Sequence, residues 1–150
     1  MDTASIYSEA GRGDLRHLNR DAVRAHVRRA LTAFPDVAGA YLFGSALHLV
    51  GGRSDIDLGV IPAGEAGADR DAELAEQLES VLGQLGPHAF HVTVLRAHDN
   101  AFTFSVLNRG ELIFVADENL VTDLIERVGR EHDDLVPFRS TFYAALGMGV

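Results

Sequence analysis

The chain has 150 residues, 47% hydrophobic and 23% charged, which fits one globular domain, residues 1–150, built on a single core. Its formal net charge of −9 argues against an extensive nucleic-acid surface, which needs clustered lysine and arginine. It contains no cysteine, which excludes disulfides and thiolate chemistry and favours a cytoplasmic protein. No apolar run reaches the ~18 residues of a membrane span, and the acidic start MDTASIYSEAGRGD lacks the core of an export signal, so we expect no membrane contact.

The N-terminal third predicts a loose lead-in followed by an amphipathic helix. We expect residues 1–13 to be the lead-in. From about Asp21, apolar residues recur at helical spacing until Pro35 ends the pattern. The same region is crowded with arginines, among them Arg16, Arg20, Arg24, Arg28 and Arg29. They form either the solvated face of the helix or a local patch for phosphate or a partner.

Four strands and three further helices are predicted downstream. The strands are AGAYLF (38–43), SDIDLGVI (54–61), AFHVTVL (89–95) and ELIFVA (111–116). A leucine stripe predicts a helix that Gly86 and Pro87 end, a short helix covers 100–108, and a last amphipathic helix begins near Asp117. This order predicts an α+β (two-layer α/β) domain, with a mixed sheet of four to five strands and helices packed mainly on one face.

The chain ends in an apolar tail, which we assign to residues 131–150. Its last segment reads PFRSTFYAALGMGV. Such a tail either packs back on the domain or forms a partner-contacting segment. A homodimer is therefore one of the arrangements that the sequence allows.

Two aspartates stand among residues that otherwise read as buried strand, in YLFGSALHLVGGRSDIDLGV. Side chains alternate along a strand, so Asp55 and Asp57 point to the same face with Cα atoms about 6.6 Å apart. Adjacent carboxylates repel each other and call for a shared cation, and their hard oxygens suit Mg²⁺, one ion or two. A lone Asp-x-Asp is a weak signal, because Ser54 and Asp55 could equally form a turn or a cap.

A glycine-serine pair at the end of the preceding strand supplies the complementary half of a site. Glycine lets backbone N–H groups approach an anion closely, and a serine hydroxyl can donate to a phosphate oxygen. Gly44 and Ser45, together with the two acids, predict a site for a metal–triphosphate unit.

The segment LFGSALHLVGGRSDIDLGV resembles the Gly-Ser and Asp-x-Asp signature of the DNA polymerase β-like nucleotidyltransferase superfamily. The short chain resembles its minimal nucleotidyltransferase (MNT) branch, and FHVTVLRAHDNAFTFSVLNRGELIFVADE resembles that branch's later strands and helix, so the similarity covers about residues 22–130. The resemblance implies a polymerase β palm-like fold. It also implies Mg²⁺-dependent transfer of a nucleoside monophosphate, AMP by default, from ATP or another NTP to a hydroxyl.

The resemblance also implies roles for individual residues and a kind of partner. Gly44 and Ser45 would bind the nucleotide phosphates, and Asp55 and Asp57 would ligate Mg²⁺. Members of the branch are commonly paired with an all-helical HEPN ribonuclease toxin, and some attach AMP to a tyrosine on it. A HEPN-type protein is therefore the expected acceptor.

The chain departs from the superfamily pattern at the third carboxylate, whose position matches His91. A neutral imidazole can accept a proton but is a poor Mg²⁺ ligand, and loss of a positioned base typically costs about 10²–10⁴-fold in rate. His91 is thus either a catalytic group or a structural histidine at a strand edge. Apart from His48 in the loop before the acids, the other histidines show no metal-ligand spacing: His17, His26, His88, His98 and His132.

The loop before the acids also differs from the family. Arg53 either contacts phosphate or pairs with the acids, and we group it with Ser54 among the nucleotide-binding candidates. His48 either reaches a phosphate or is an ordinary loop residue. Two functions follow: an enzyme that transfers a nucleotide, which we favour, and a catalytically weak nucleotidyltransferase-fold subunit that neutralises a partner by binding it.

Overall fold

A five-stranded mixed sheet lies at the centre of the computed structural model, which describes residues 6–12, 15–52, 54–65 and 67–131. Numbered along the chain, its strands are β3 (Val37–Phe43), β5 (Ile56–Pro62), β6 (Gln84–Leu85), β7 (His88–Val94) and β8 (Glu111–Val115). Their order in the sheet is β6–β7–β5–β3–β8. β5 and β7 are parallel, whereas β3 runs antiparallel to both β5 and β8. The predicted α+β class and mixed sheet are confirmed.

Four helices pack on this sheet: α1 (Arg20–Leu31), α2 (Ala68–Leu82), α3 (Asn100–Arg109) and α4 (Glu118–Glu131). Buried residues of α1 and α2 share one core with Leu42 and Leu58, whereas those of α3 and α4 share a second core with Tyr41 and Ile61. The two cores lie on opposite faces because neighbouring strand residues alternate. The expectation that the helices cover mainly one face is therefore wrong. The central strands are apolar on both faces, and each face needs its own cover.

The N-terminal residues form a strand rather than a loose lead-in. β1 (Tyr7–Arg12) pairs antiparallel with β2 (Leu15–Leu18), and β2 pairs with β4 (Leu49–Val50) to make a separate three-stranded sheet. Ile6 is 1% exposed and belongs to the first core, which anchors the start of β1. The expected lead-in is thus wrong for residues 7–12. Residues 1–5 and 13 lie outside the described part of the chain, as does nearly all of the predicted tail, residues 132–150.

Local chemistry sets the helix boundaries. The Asn19 side chain accepts hydrogen bonds from the backbone N–H groups of Asp21 and Ala22, which caps α1. α2 ends earlier than predicted, because Gly83 has a positive φ of 60° and redirects the chain into β6. No helix of the described residues is long and apolar enough to cross a membrane.

The contact of α4 with β3 depends on a glycine. A Cβ added at Gly39 would lie 2.7 Å from Val121 Cγ2 and 3.1 Å from the Phe114 carbonyl oxygen. We expect Gly39→Ala to lower the free energy of unfolding by about 1–3 kcal/mol through overpacking, measured by urea unfolding. Gly64→Ala is the control, since nothing lies within 4 Å of a Cβ there. Equal unfolding of both variants would contradict this account of the contact.

Candidate nucleotide and metal site

The two aspartates lie at the start of β5, as the strand pattern predicts. Asp55 is exposed just before the strand, and Asp57 is half-buried within it. Ile56 and Leu58 are fully buried in the first core, on the opposite side of the sheet. Asp57 therefore points to the sheet face that α3 and α4 cover, near the start of β5.

The glycine-serine turn lies directly against the second aspartate. Gly44 opens a 3₁₀ turn (Gly44–Leu47) with a positive φ of 73°, and a Cβ built there would lie 2.5 Å from Asp57 Oδ2. An L side chain at this position would meet both backbone strain and the carboxylate. The structure thus brings together Gly44, Ser45 and Asp57, which the sequence analysis assigned to one site.

The turn is held by a hydrogen bond from Arg20, which also forms an ion pair with Glu111. Arg20 donates from Nη1 to the Ala46 carbonyl at 2.7 Å, and its Nε lies 2.8 Å from Glu111 Oε2. Arg24 Nη2 lies 3.8 Å from Glu111 Oε1. Two arginines of the N-terminal cluster therefore position α1 and β8 around the turn. Sequence reasoning missed this role, because the arginine spacing gives no sign of which carbonyl or acid lies opposite.

The loop that leads into the acids is fastened by a buried histidine. His88 is fully buried, with Nδ1 2.8 Å from the Ser54 carbonyl oxygen and Nε2 2.8 Å from the Tyr7 hydroxyl. A carbonyl only accepts, so Nδ1 carries the proton and Nε2 accepts from the tyrosine. The Ser54 hydroxyl oxygen accepts from the Gly51 N–H at 2.9 Å. This Tyr7–His88–Ser54 bridge joins β1 to the acid loop, a role that sequence reasoning did not find for His88.

His91 stands beside Asp57 on the neighbouring strand. The two residues are Cα partners in the parallel ladder of β5 and β7. The His91 side chain is 59% exposed, and its Nδ1 lies 3.3 Å from Glu79 Oε2. The same Glu79 oxygen accepts the Val92 backbone N–H at 2.8 Å, which fixes the carboxylate against the strand edge. Glu79 is therefore placed to orient the imidazole.

The surroundings of Asp57 act on its charge in opposite directions. Partial burial raises the pKa of the Asp57 carboxyl because it disfavours the charged form, His91 lowers that pKa, and the Asp55 charge raises it. Among the described residues, no group of three or more His, Cys, Asp or Glu could hold a metal ion. Two carboxylates suit Mg²⁺, which takes one or two protein carboxylates and completes its shell with phosphate oxygens and water.

Two other candidates are less informative. Arg53 lies outside the described residues. His48 is exposed at the end of the turn, and its backbone N–H donates to the Ser45 carbonyl at 2.9 Å. His48 therefore lies at the solvent-exposed end of the turn.

The sequence model of the polymerase β nucleotidyltransferase family matches residues 26–119, well over half of the chain. The chain belongs to this family. No curated protein matches it in sequence.

Solved structures share the fold of this chain. A chain of the tri-AMPylated Shewanella oneidensis HEPN toxin in complex with MNT antitoxin matches with a TM-score of 0.52 and 18% identity, over 85% of this chain and 99% of that chain. A chain of the toxin–antitoxin complex MntA–HpeT, with two aspartates two positions apart changed to glutamate, matches with a TM-score of 0.51 and 18% identity, over 86% and 99%. The resemblance to the MNT branch is thereby confirmed for the fold.

The Tyr7–His88–Ser54 bridge can be tested by removing one hydroxyl. Tyr7→Phe leaves the buried Nε2 of His88 without its donor, so we expect a loss of about 1–3 kcal/mol in the free energy of unfolding, measured by urea titration. Ser8→Ala is the control, since its exposed hydroxyl makes only a long 3.4 Å contact with the His17 carbonyl. A Tyr7→Phe protein as stable as the wild type would contradict the bridge.

The raised pKa of Asp57 predicts a pH-dependent gain in stability on neutralisation. The native state holds this proton more tightly than the unfolded chain does, so the ionised carboxylate costs stability above the native pKa. Asp57→Asn should raise the melting temperature at pH 7 by no more than about 4 °C, because solvent screens a half-exposed group. The gain should vanish as the pH falls and wild-type Asp57 takes up its proton.

The measurement is thermal unfolding across pH without metal or nucleotide. Exposed Asp36 supplies the control, since Asp36→Asn should leave the melting temperature unchanged. Lower stability of Asp57→Asn than of wild type at pH 7 would refute the electrostatic argument.

Proposed function

We propose that this chain is a Mg²⁺-dependent nucleotidyltransferase that moves a nucleoside monophosphate, AMP by default, from an NTP to an acceptor hydroxyl. The observation that carries the proposal is the contact between the Gly44 turn and the Asp57 carboxylate, with Asp55 beside it. A phosphate-binding turn and a pair of metal-ligating carboxylates are the two parts that phosphoryl transfer needs in one place.

The proposed nucleotide site divides between the turn and the acids. Gly44 and Ser45 would bind phosphate oxygens through backbone N–H groups and the serine hydroxyl, with Arg53 and Ser54 alongside. Asp55 and Asp57 would hold Mg²⁺. When bound, the ion neutralises phosphate charge and orients the transferring group for in-line displacement. In that displacement the acceptor oxygen bonds to the α-phosphorus, and pyrophosphate leaves.

We assign proton acceptance to His91. In the neutral form with Nδ1–H directed at Glu79, the Nε2 lone pair is available for the acceptor hydroxyl proton. The imidazole would then accept the proton, which is one of the two roles of the family's third carboxylate. The other role, metal ligation, would fall to the two aspartates alone. Its position beside Asp57 in the ladder supports this role.

The acceptor we propose is a protein of the HEPN toxin class, which makes the chain an antitoxin in the cytoplasm. The support is the shared fold with chains from HEPN–MNT and MntA–HpeT complexes. The C-terminal residues 131–150 remain a candidate partner-contacting segment, and a homodimer remains a possible assembly.

A second function is favoured by one observation, the exposed imidazole of His91 where the superfamily has a carboxylate. A site that has lost a metal ligand could retain binding and lose rate. The chain would then be a nucleotidyltransferase-fold subunit that neutralises a toxin by complex formation alone.

One experiment separates the two functions. The full chain is incubated with labelled ATP, Mg²⁺ and a HEPN toxin of its own operon, and label transfer and toxin ribonuclease activity are both measured. We expect transfer by wild type and by Asp36→Asn, none detectable for Asp57→Asn, and a fall of about 10²–10⁴-fold for His91→Ala. Neutralisation without transfer would support the binding subunit, and neither transfer nor neutralisation would refute both functions.

A further inference from the structure

One aromatic side chain is exposed close to the candidate site. Among the described residues, the exposed large hydrophobic side chains are Leu15, Val81 and Phe102, and Phe102 is the one aromatic, at 36% exposure. Leu15 belongs to β2 and Val81 to α2, whereas Phe102 belongs to α3 on the face that carries Asp57. A single exposed phenylalanine is ordinary on a protein surface, and it is the position of Phe102 beside the polar site that makes it a candidate ligand contact.

Phe102 is connected to the acids through a second ring. Phe43 and Phe102 pack edge to face, with ring centroids 5.7 Å apart and planes at 81°. Phe43 is the Cα partner of Asp57 in the antiparallel ladder of β3 and β5. Opposed residues of such a ladder share a face, with Cβ atoms about 4.5–5.5 Å apart. The two rings, which we call the aromatic shelf, therefore adjoin the Asp57 carboxylate.

The shelf also adjoins the phosphate-binding turn, since Phe43 immediately precedes Gly44 in the chain. On the far side of Asp57 stands His91, so one row on this face reads Phe43, Asp57, His91. In this row the apolar Phe43 lies on one side of Asp57, and His91, the proposed proton acceptor, lies on the other. A nucleotide whose phosphates bind the turn and the two aspartates would extend its base towards Phe43 or towards His91.

We propose that Phe102, supported edge to face by Phe43, is the stacking surface for the nucleobase of the bound NTP. This inference rests on the function proposed above, because the phosphates must sit on the Gly44 turn for the base to reach the shelf. A nucleobase fits this surface because its flat ring stacks on phenylalanine while its sugar and phosphates stay in the polar part of the site.

The chemistry of the shelf bears on base selection. Phenylalanine rings present no hydrogen-bond donor or acceptor, and every base offers a stacking face. Stacking on the Phe102 ring, which Phe43 supports edge to face, therefore increases the affinity for a nucleotide over that for a bare triphosphate, with little choice between adenine and guanine. Purines gain more than pyrimidines because they offer the larger ring surface.

The experiment measures Mg²⁺-dependent binding of ATP, GTP, UTP and inorganic triphosphate to the full chain by calorimetry. We expect Phe102→Ala to weaken ATP and GTP about tenfold, UTP less, and triphosphate not at all. Phe102→Leu, which keeps an apolar side chain without a π face, should lose most of the same affinity, and Phe102→Tyr should retain it. Val81→Ala is the matched control, an exposed apolar truncation on α2 that should change none of the four affinities.

Several results would overturn the shelf. Unchanged ATP affinity in Phe102→Ala would do so, as would an equal loss for ATP and triphosphate, which would mean that the substitution disturbs the phosphate site. Intact nucleotide binding with impaired transfer to the acceptor would assign the rings to the acceptor instead. A wild-type chain that binds neither ATP nor triphosphate would refute the proposed function together with the shelf, whereas wild-type binding with an unaffected Phe102→Ala variant would refute the shelf alone.

Discussion

The candidate site depends on a close approach between a backbone and a carboxylate. Gly44 leaves β3 with a positive φ, and its missing side chain makes the space that Asp57 Oδ2 occupies. The same glycine therefore serves two purposes, since it turns the chain and admits an acid against the turn. The backbone N–H groups of the turn attract anions, whereas the Asp57 carboxylate beside them repels anions. A cation and a phosphate bound together resolve this conflict, and either one alone does so only in part.

Around this contact, the fold supplies supports from parts of the chain that are distant in sequence. Arg20 fastens the turn through the Ala46 carbonyl. His88 fastens the acid loop through the Ser54 carbonyl and is itself fastened by Tyr7. Tyr7 belongs to the three-stranded sheet, and most of that sheet lies ahead of the residues matched by the family model. The hairpin of β1 and β2 therefore supports the candidate site, because Tyr7 holds His88 and His88 holds the loop before the two aspartates.

The sequence predicted the features that depend on local pattern and missed those that depend on tertiary partners. Strand alternation was enough to place Asp57 on the face opposite Ile56, and the Gly-Ser motif was enough to place the turn. Periodicity located four helices but could not say that they divide between two faces, because that choice depends on the path of each connection. The strand over Tyr7–Arg12 was missed since its stability comes from a buried Ile6 and from pairing, not from its own composition. The supporting roles of His88 and Arg20 have no linear signature at all.

The Glu79 carboxylate gives one further consequence of the architecture. β6 pairs with β7 at His88 and Ala89, and the Gly83 carbonyl accepts the Phe90 N–H. Among the described residues, the outer rim of β7 from His91 onward therefore has no strand beside it. Glu79 closes part of that rim by taking the Val92 N–H, and the same oxygen faces His91. One acidic side chain thus occupies a backbone donor at an unpaired sheet edge and lies beside the neighbouring imidazole. A substitution of Glu79 would therefore change the sheet edge and the surroundings of His91 together.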